Sequence, residues 1–351
     1  MNQRVFLLKP CRGSDEQSLL SDARIVENYK RGIETSVILD LNILNRISQH
    51  VNPDPTRSAE SLAGDIIEIK KQLSKPLLFI TAGFALGEAD ESYLDNLIAA
   101  YESFFVSDLP GYVDAPNALP AGERRKRSKR FVELPASEQL SLSFAYLALL
   151  KIHDILLSKG PVSGPAKFDD FLEFMDGVAD LVPAIEVEVA KHCFFASSLI
   201  EDKAFIARSR AIRDNFNKGG RGEKRVDRIL NGARDIMYLR GAAFMDGHTL
   251  DGVVQDTWLL TCDAGVAALS DEIYFVPRGG ERSKYATTTN SLVREKDSYW
   301  RYVDNASDSL VARRTSSAHR ASSQFSEAHV EKLRGLALAL AESISARASK
   351  V

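Results

Sequence analysis

Val37-Ile38-Leu39-Asp40-Leu41-Asn42 is an apolar run that stops in an aspartate, and Trp258-Leu259-Leu260-Thr261-Cys262-Asp263 repeats that arrangement far downstream. Ser36 to Leu39 and Thr257 to Cys262 each predict a short buried strand with a continuous apolar run, which suits a parallel sheet covered on both faces. In an open parallel sheet the carboxyl ends of the strands form the ligand crevice, so Asp40 and Asp263 would face each other there. Carboxylates brought together repel, and a divalent cation relieves this; hard oxygen donors suit Mg2+ or Mn2+. The competing reading is that each aspartate only caps the helix after it.

Working outward, Ser14-Asp15-Glu16-Gln17 has capping-box form and opens a helix with apolar positions at Leu19, Leu20, Ala23, Val26 and Tyr29, ended by Gly32. Asn42 to Ile47 begins a helix, Ser58 to Leu73 is amphipathic, and Leu77 to Ile80 is apolar again. A Gly-Phe-Ala-Leu-Gly-Glu stretch ends at Glu88, and Leu94 to Phe105 is helical. Pro110 to Arg130 predicts a loop. Ser137 to Leu157, Phe168 to Val182 and Ile185 to Phe216 predict three helices, followed by a break at Lys218 to Gly222 and a helix from Arg225 to Phe244. Asp263 opens a turn and helix, and Glu272 to Val276 suits a strand. Past Pro277 regularity fades: Ser307 to Ser326 is polar and Ser/Arg-rich, and Glu327 to Ala346 is a terminal amphipathic helix.

The alternation of strand and helix predicts an α/β core with a central parallel sheet flanked by helices. Its first part would span 1–100 and its second 223–280. A largely helical insertion carrying basic segments would fill 101–222, and a polar extension with the terminal helix 281–351.

The strand ending in Asp40-Leu41-Asn42 resembles the first strand of PIN-like nucleases, and Leu259 to Gly265 is similar to that superfamily's late strand with Thr-x-Asp. Asn231 to Leu239, around Asp235, resembles the helix carrying a further acid, and Glu88 sits where a glutamate is expected. The resemblance covers roughly 35–90 and 225–277. It departs from compact members in the long gaps from Glu88 to Asp235 and from Asp235 to Asp263, which leave Glu91, Asp246 and Asp256 as rivals for the named carboxylates.

What the resemblance implies is a metal-dependent hydrolase, a nuclease or endonuclease cutting RNA. Asp40, Asp235 and Asp263 would be ligands for Mg2+ or Mn2+, and Glu88 would be a ligand or a holder of water. Asn42 and Thr261 would orient carboxylates, and Arg234 would contact a phosphate or pair with an acid. Two other readings stand beside it: an inactive PIN-like module that binds nucleic acid or protein, and a Mg2+-dependent phosphohydrolase acting on small phosphate esters.

Among 351 residues, 45 basic against 48 acidic side chains give a net charge of −3, so any nucleic-acid surface must be local. Arg124 to Arg130 holds six basic residues in seven positions, among them Arg124, Arg125, Lys126 and Arg127. Lys203 to Arg228, with Arg221, Lys224 and Arg225, holds nine basic against three acidic, an excess of +6. Such patches suit a phosphate backbone, single-stranded RNA above all, with Phe131 and Phe216 as candidates for base stacking or for the core. Solvated surface charge is the plain alternative.

Cys11, Cys193 and Cys262 are isolated, which argues against a disulfide framework or a zinc knuckle and suits a reducing cytoplasm. The histidines show no zinc spacing, and no phosphate-binding loop, dinucleotide fingerprint or nucleophile elbow is present. No membrane association is expected. A regulatory protein partner and a homo-oligomer stay open.

Overall fold

The computed structural model describes residues 4–12, 19–53, 59–109, 130–158, 160, 162–196, 200–250, 252–277, 284–289, 291–315 and 326–349. By its contacts the chain forms two units. The first comprises Met1–Ser128, Tyr238–Ser270 and Tyr274–Tyr285; the second comprises Lys129–Met237, Asp271–Ile273 and Ala286–Val351. Most of the expected insertion and most of 281–351 therefore belong to one unit.

The first unit is built on a sheet in the order β1 (Phe6–Leu8), β5 (Val253–Thr261), β2 (Ile33–Leu39), β3 (Leu78–Thr81), with β4 (Thr249–Leu250) folded back on the start of β5. β2 runs parallel to both β3 and β5, while β1 and β4 are antiparallel to β5, so the sheet is mixed and not wholly parallel. The two apolar runs are its central strands, because only strands buried on both faces can be apolar throughout. Val37, Ile38, Leu39, Trp258, Leu259 and Leu260 are all fully buried. β5 is longer than expected, and β1 and β4 were not foreseen; three residues or fewer carry too little periodicity to read.

Helices α1 (Asp22–Lys30), α2 (Leu41–Val51), α3 (Ala59–Leu73), α4 (Gly83–Glu88) and α5 (Glu91–Ser107) belong to this unit. α1 starts later than its periodicity suggests: Ser21 caps it through the Arg24 N–H, and Leu19 and Leu20 precede the helix. Ser14 to Gln17 lies outside the described residues. Gly32, at φ +69°, makes the turn into β2, a left-handed conformation a side chain would resist. Leu39, Ile43, Ile47, Ile80, Leu97, Phe104, Trp258 and Leu260 join one apolar core. Past β5 the chain forms α11 (Ala264–Glu272), then β6 (Ile273–Pro277) pairs with β7 (Lys284–Thr288).

The second unit is helical: α6 (Ala136–Ser158), α7 (Gly164–Glu173), α8 (Ala184–Phe194), α9 (Lys203–Phe216), the first part of α10 (Glu223–Met245), α12 (Leu292–Lys296), α13 (Ser298–Thr315) and α14 (Glu327–Ala348). Ile185 to Phe216 is two helices, not one: α9 restarts at Asp202, whose carboxylate accepts the Phe205 N–H. Ser307 to Thr315 is helical, with Trp300, Val303 and Leu310 buried on one side of α13. Those apolar residues are spaced among serines and arginines that dilute the pattern in sequence. α6 has the length and hydropathy of a membrane span, at 23 residues, but most of it is buried inside the protein, where α14, α7 and α8 pack against it.

Candidate functional site

The site begins with strand register. Leu39 lies beside Leu260, so β2 and β5 end together, and the Asp40 N–H still donates to the Leu260 carbonyl at 3.0 Å. Asp40 and Asp263 therefore stand at the carboxyl ends of two parallel strands, as the sequence predicted, and the register makes those strands adjacent.

Thr261 joins them. Its hydroxyl donates to Asp40 Oδ2 at 2.5 Å and accepts the Asp263 N–H at 3.0 Å. Asn42 completes the cradle: its backbone N–H reaches Asp40 Oδ1 at 3.3 Å, and its amide reaches Oδ2 at 3.2 Å. Asp40 is 4 % exposed. Burial pushes its carboxyl above the ordinary value and the Asp263 charge adds to that, whereas the bonds from Thr261 and Asn42 oppose it without reversing it.

Both aspartates are also helix caps. Asp40 precedes α2, and Asp263 Oδ1 accepts the N–H groups of Gly265 at 2.7 Å and Val266 at 3.0 Å. Each aspartate thus caps a helix and is also bonded to the Thr261 hydroxyl.

Glu88 reaches the same neighbourhood from α4. Tyr238, buried on α10, donates its hydroxyl to Glu88 Oε2 at 2.8 Å. Burial holds the Tyr238 phenol well above its ordinary value, and the charges of both Glu88 and Asp40 push the same way. The phenol thus bonds Glu88 and feels the charge of Asp40. Sequence reading passed over Tyr238, since an aromatic in an amphipathic helix carries no signal beyond core packing.

Asp235 stands in the second unit, where the Asn215 amide donates to its Oδ2 at 3.1 Å. Arg234 lies 3.8 Å from Glu138 and donates to Asn231 Oδ1 at 3.4 Å, so it takes the carboxylate-pairing role and not a visible anion site.

Two rivals are spoken for. Asp256 sits opposite Thr35, four strand positions below Leu260 or about 13 Å. It accepts Lys9 Nζ at 2.6 Å, Arg24 Nη2 at 2.8 Å, Asn28 Nδ2 at 2.8 Å and Trp258 Nε1 at 3.1 Å. Burial would raise its carboxyl, but Lys9 and Arg24 overcome that and hold it at about 2. Asp246 accepts Lys9 Nζ and, at 2.8 Å, the Thr257 N–H. These acids lock the base of β5. The Glu91 side chain lies outside the described residues.

The donor set suits a hard cation. Asp40, Asp263 and Glu88 offer carboxylate oxygens, and the Cys262 thiol beside them is pushed up to about 12 by burial and by the charges of Asp65 and Asp40, so no thiolate competes. The three sets of oxygens do not all lie within 4.8 Å of one another. Among the described residues only Glu188, His192 and Glu272, buried in the second unit, meet that spacing. Mg2+ keeps several waters and uses one or two carboxylates, which the wider set can provide.

The tighter trio is already neutralised. Arg294 donates to Glu188 Oε1, lies 3.3 Å from Glu272 Oε2, and stacks 4.3 Å above the Trp300 ring. Lys191 Nζ is 3.3 Å from Glu188, and Arg208 Nε donates to Glu272 at 2.9 Å. A guanidinium stands where an ion would.

Of the expected nucleic-acid contacts, Arg124, Arg125, Lys126 and Arg127 lie outside the described residues. Arg221 and Lys224 are exposed at the start of α10. Arg225 is partly packed: its Nε is buried without a hydrogen-bond partner, and its charge helps depress His153. Phe131 and Phe216 are 4 % and 2 % exposed, so both belong to the core and neither offers a face to a base.

Comparison of the chain with models of known families, with curated proteins and with solved structures returned no match.

Proposed function

We propose that the first unit carries a PIN-like, metal-dependent nuclease site that hydrolyses phosphodiester bonds in RNA, with Mg2+ or Mn2+ as cofactor. The observation that carries this reading is the Thr261 bridge. It holds two aspartates together at the ends of adjacent parallel strands, one of them buried and destabilised as an anion. Such a pair gains most from a divalent cation.

Asp40 and Asp263 would hold the cation, Asn42 and Thr261 fix the Asp40 carboxylate, and Glu88, bonded by Tyr238, would accept a hydrogen bond from the attacking water. When bound, a divalent ion supplies Lewis-acid polarisation of the scissile phosphate and charge for the departing oxygen. Asp235 is the fourth carboxylate the resemblance assigns. Arg221 and Lys224, exposed in the second unit, would serve a phosphate backbone bound there. A regulatory protein that restrains the nuclease, and a cytoplasmic setting, belong to the same proposal.

A second reading is a PIN-like module that binds nucleic acid without cutting. It is favoured by the spread of the three carboxylates beyond 4.8 Å and by the engagement of both aspartates as caps.

The test is a panel of single-stranded RNA and DNA incubated with Mn2+ or Mg2+ and wild type, Asp40→Asn, Asp263→Asn or Asp235→Asn. Metal-dependent cutting of RNA, lost in the first two variants, supports the nuclease; the third decides whether Asp235 takes part. A folded wild type that binds RNA but leaves it intact supports the second reading.

A further inference from the structure

Beside the acidic cluster, α4 presents an aromatic face. Phe84 precedes Glu88 by four residues, one helical turn, so both project from the same side of α4. The Phe84 ring is 42 % exposed. Its inner side meets Tyr238, with ring centroids 6.1 Å apart, and Tyr238 is the residue whose hydroxyl holds Glu88.

Gly241 makes room for the ring: a Cβ there would come within 3.3 Å of both Cε1 and Cζ of Phe84. Further along α10, Phe244 is 66 % exposed and stacks on His248 with centroids 4.5 Å apart at 25°.

We infer that Phe84 is the platform on which the site stacks an unpaired base, with Phe244 as a second platform further along α10. This rests on the nuclease reading above and names the surface that would hold its single-stranded substrate. Single exposed apolar side chains are ordinary on a protein surface; what sets Phe84 apart is its place one helical turn from Glu88 and its contact with the Tyr238 that bonds Glu88. Its two neighbours limit the occupant. A carboxylate set suited to cation-bridged phosphate calls for a phosphodiester, and a flat ring calls for a π-face. An unpaired nucleotide has both, whereas a paired base keeps its faces covered by its neighbours. Phe131 and Phe216, the aromatics weighed for stacking from the sequence, lie in the core and cannot serve.

The experiment uses the full chain and a single-stranded RNA containing 2-aminopurine, in Ca2+, with binding read from fluorescence quenching. Wild type should quench the probe and bind it more tightly than the same sequence in a duplex. Phe84→Ala should weaken binding roughly ten- to a hundredfold, the range expected for one stacked base, and Phe84→Leu should weaken it nearly as much. Phe84→Trp should retain binding and quenching. Gly241→Ala, which displaces the ring without removing it, should fall between.

Phe84 is half in solvent, so a thermal melt close to wild type will show that the variants fold. Unquenched probe in wild type, equal affinity for single strand and duplex, or unchanged binding by Phe84→Ala would each overturn the inference. Cleavage in Mn2+ is scored separately. Wild type that quenches but never cuts removes the nuclease reading and leaves the stacking platform; wild type that cuts while Phe84→Ala binds and cuts equally well does the reverse.

Discussion

Thr261 and Asp40 are joined side chain to side chain across two parallel strands, hydroxyl to carboxylate at 2.5 Å. The same hydroxyl receives the Asp263 N–H. Thr261→Val keeps the shape of the side chain and removes both bonds, leaving a buried carboxylate with one donor fewer. The expected cost is roughly 1–3 kcal/mol of stability, measured by urea denaturation, together with loss of metal-dependent activity. Thr261→Ser should restore most of both. A valine variant as stable and active as wild type would show that the hydroxyl does not couple the two aspartates.

A cation that binds Asp40 and Asp263 must stabilise the folded chain. Mn2+ at a hundredfold excess over its Kd should add about 2.7 kcal/mol, visible as a rise in Tm. Asp40→Asn and Asp263→Asn should melt at the same temperature with and without Mn2+. An equal rise in all three proteins would place the ion elsewhere.

Arg294 is the charge that lets Glu188 and Glu272 stay buried. Removing one partner of a buried ion pair typically costs about 3–5 kcal/mol, so Arg294→Met should lose stability on that scale. Zn2+ should not restore it, because the network is built around a guanidinium. Recovery of Tm with Zn2+ would show that Glu188, His192 and Glu272 form a metal centre after all.

Asp256 gives stability an acid limb. Its carboxyl is held at about 2 in the fold, against 3.8 for the free group, so the unfolded chain binds more protons in between. The contribution is fully present above roughly pH 4 and is lost as pH falls toward 2. Asp256→Asn should flatten chemical-denaturation stability measured across that window. A variant with the same slope as wild type would assign the limb to other acids.

His153 acts at milder pH. Burial depresses its ring to about 4, with the Arg225 charge adding to this, while the bond between Nε2 and the Phe216 carbonyl opposes it. Below pH 6.5 the unfolded chain gains a proton the folded chain refuses, so stability falls from pH 6.5 toward 4. The loss is on the order of 3 kcal/mol. His153→Gln should be less pH-dependent through this range, which urea melts at about pH 7, 5.5 and 4.5 would reveal.

What the chain declared by itself was local. Apolar runs ending in Asp40 and Asp263 named the two central strands, because burial on both faces leaves no polar alternation in the sequence. Helical spacing fixed most of α2, α3, α5, α6, α10 and α14 to within a few residues of their ends. The resemblance carried by the Asp-x-Asn and Thr-x-Asp patterns also implied Asn42 and Thr261 as supporting side chains, but not that Thr261 would bond the carboxylate of Asp40 on the other strand.

Tertiary structure decided everything that joins distant positions. Nothing in the sequence told that β5 lies next to β2 in register, that Lys9 would neutralise Asp246 and Asp256, or that Tyr238 would bind Glu88. Nor could composition show that Arg294 fills the space between Glu188 and Glu272, or that Phe131 and Phe216 turn inward while Phe84 and Phe244 face water. The physical reason is the same throughout: side-chain periodicity reports which face of an element is buried, whereas the partner on that face is chosen by chain-distant packing and charge.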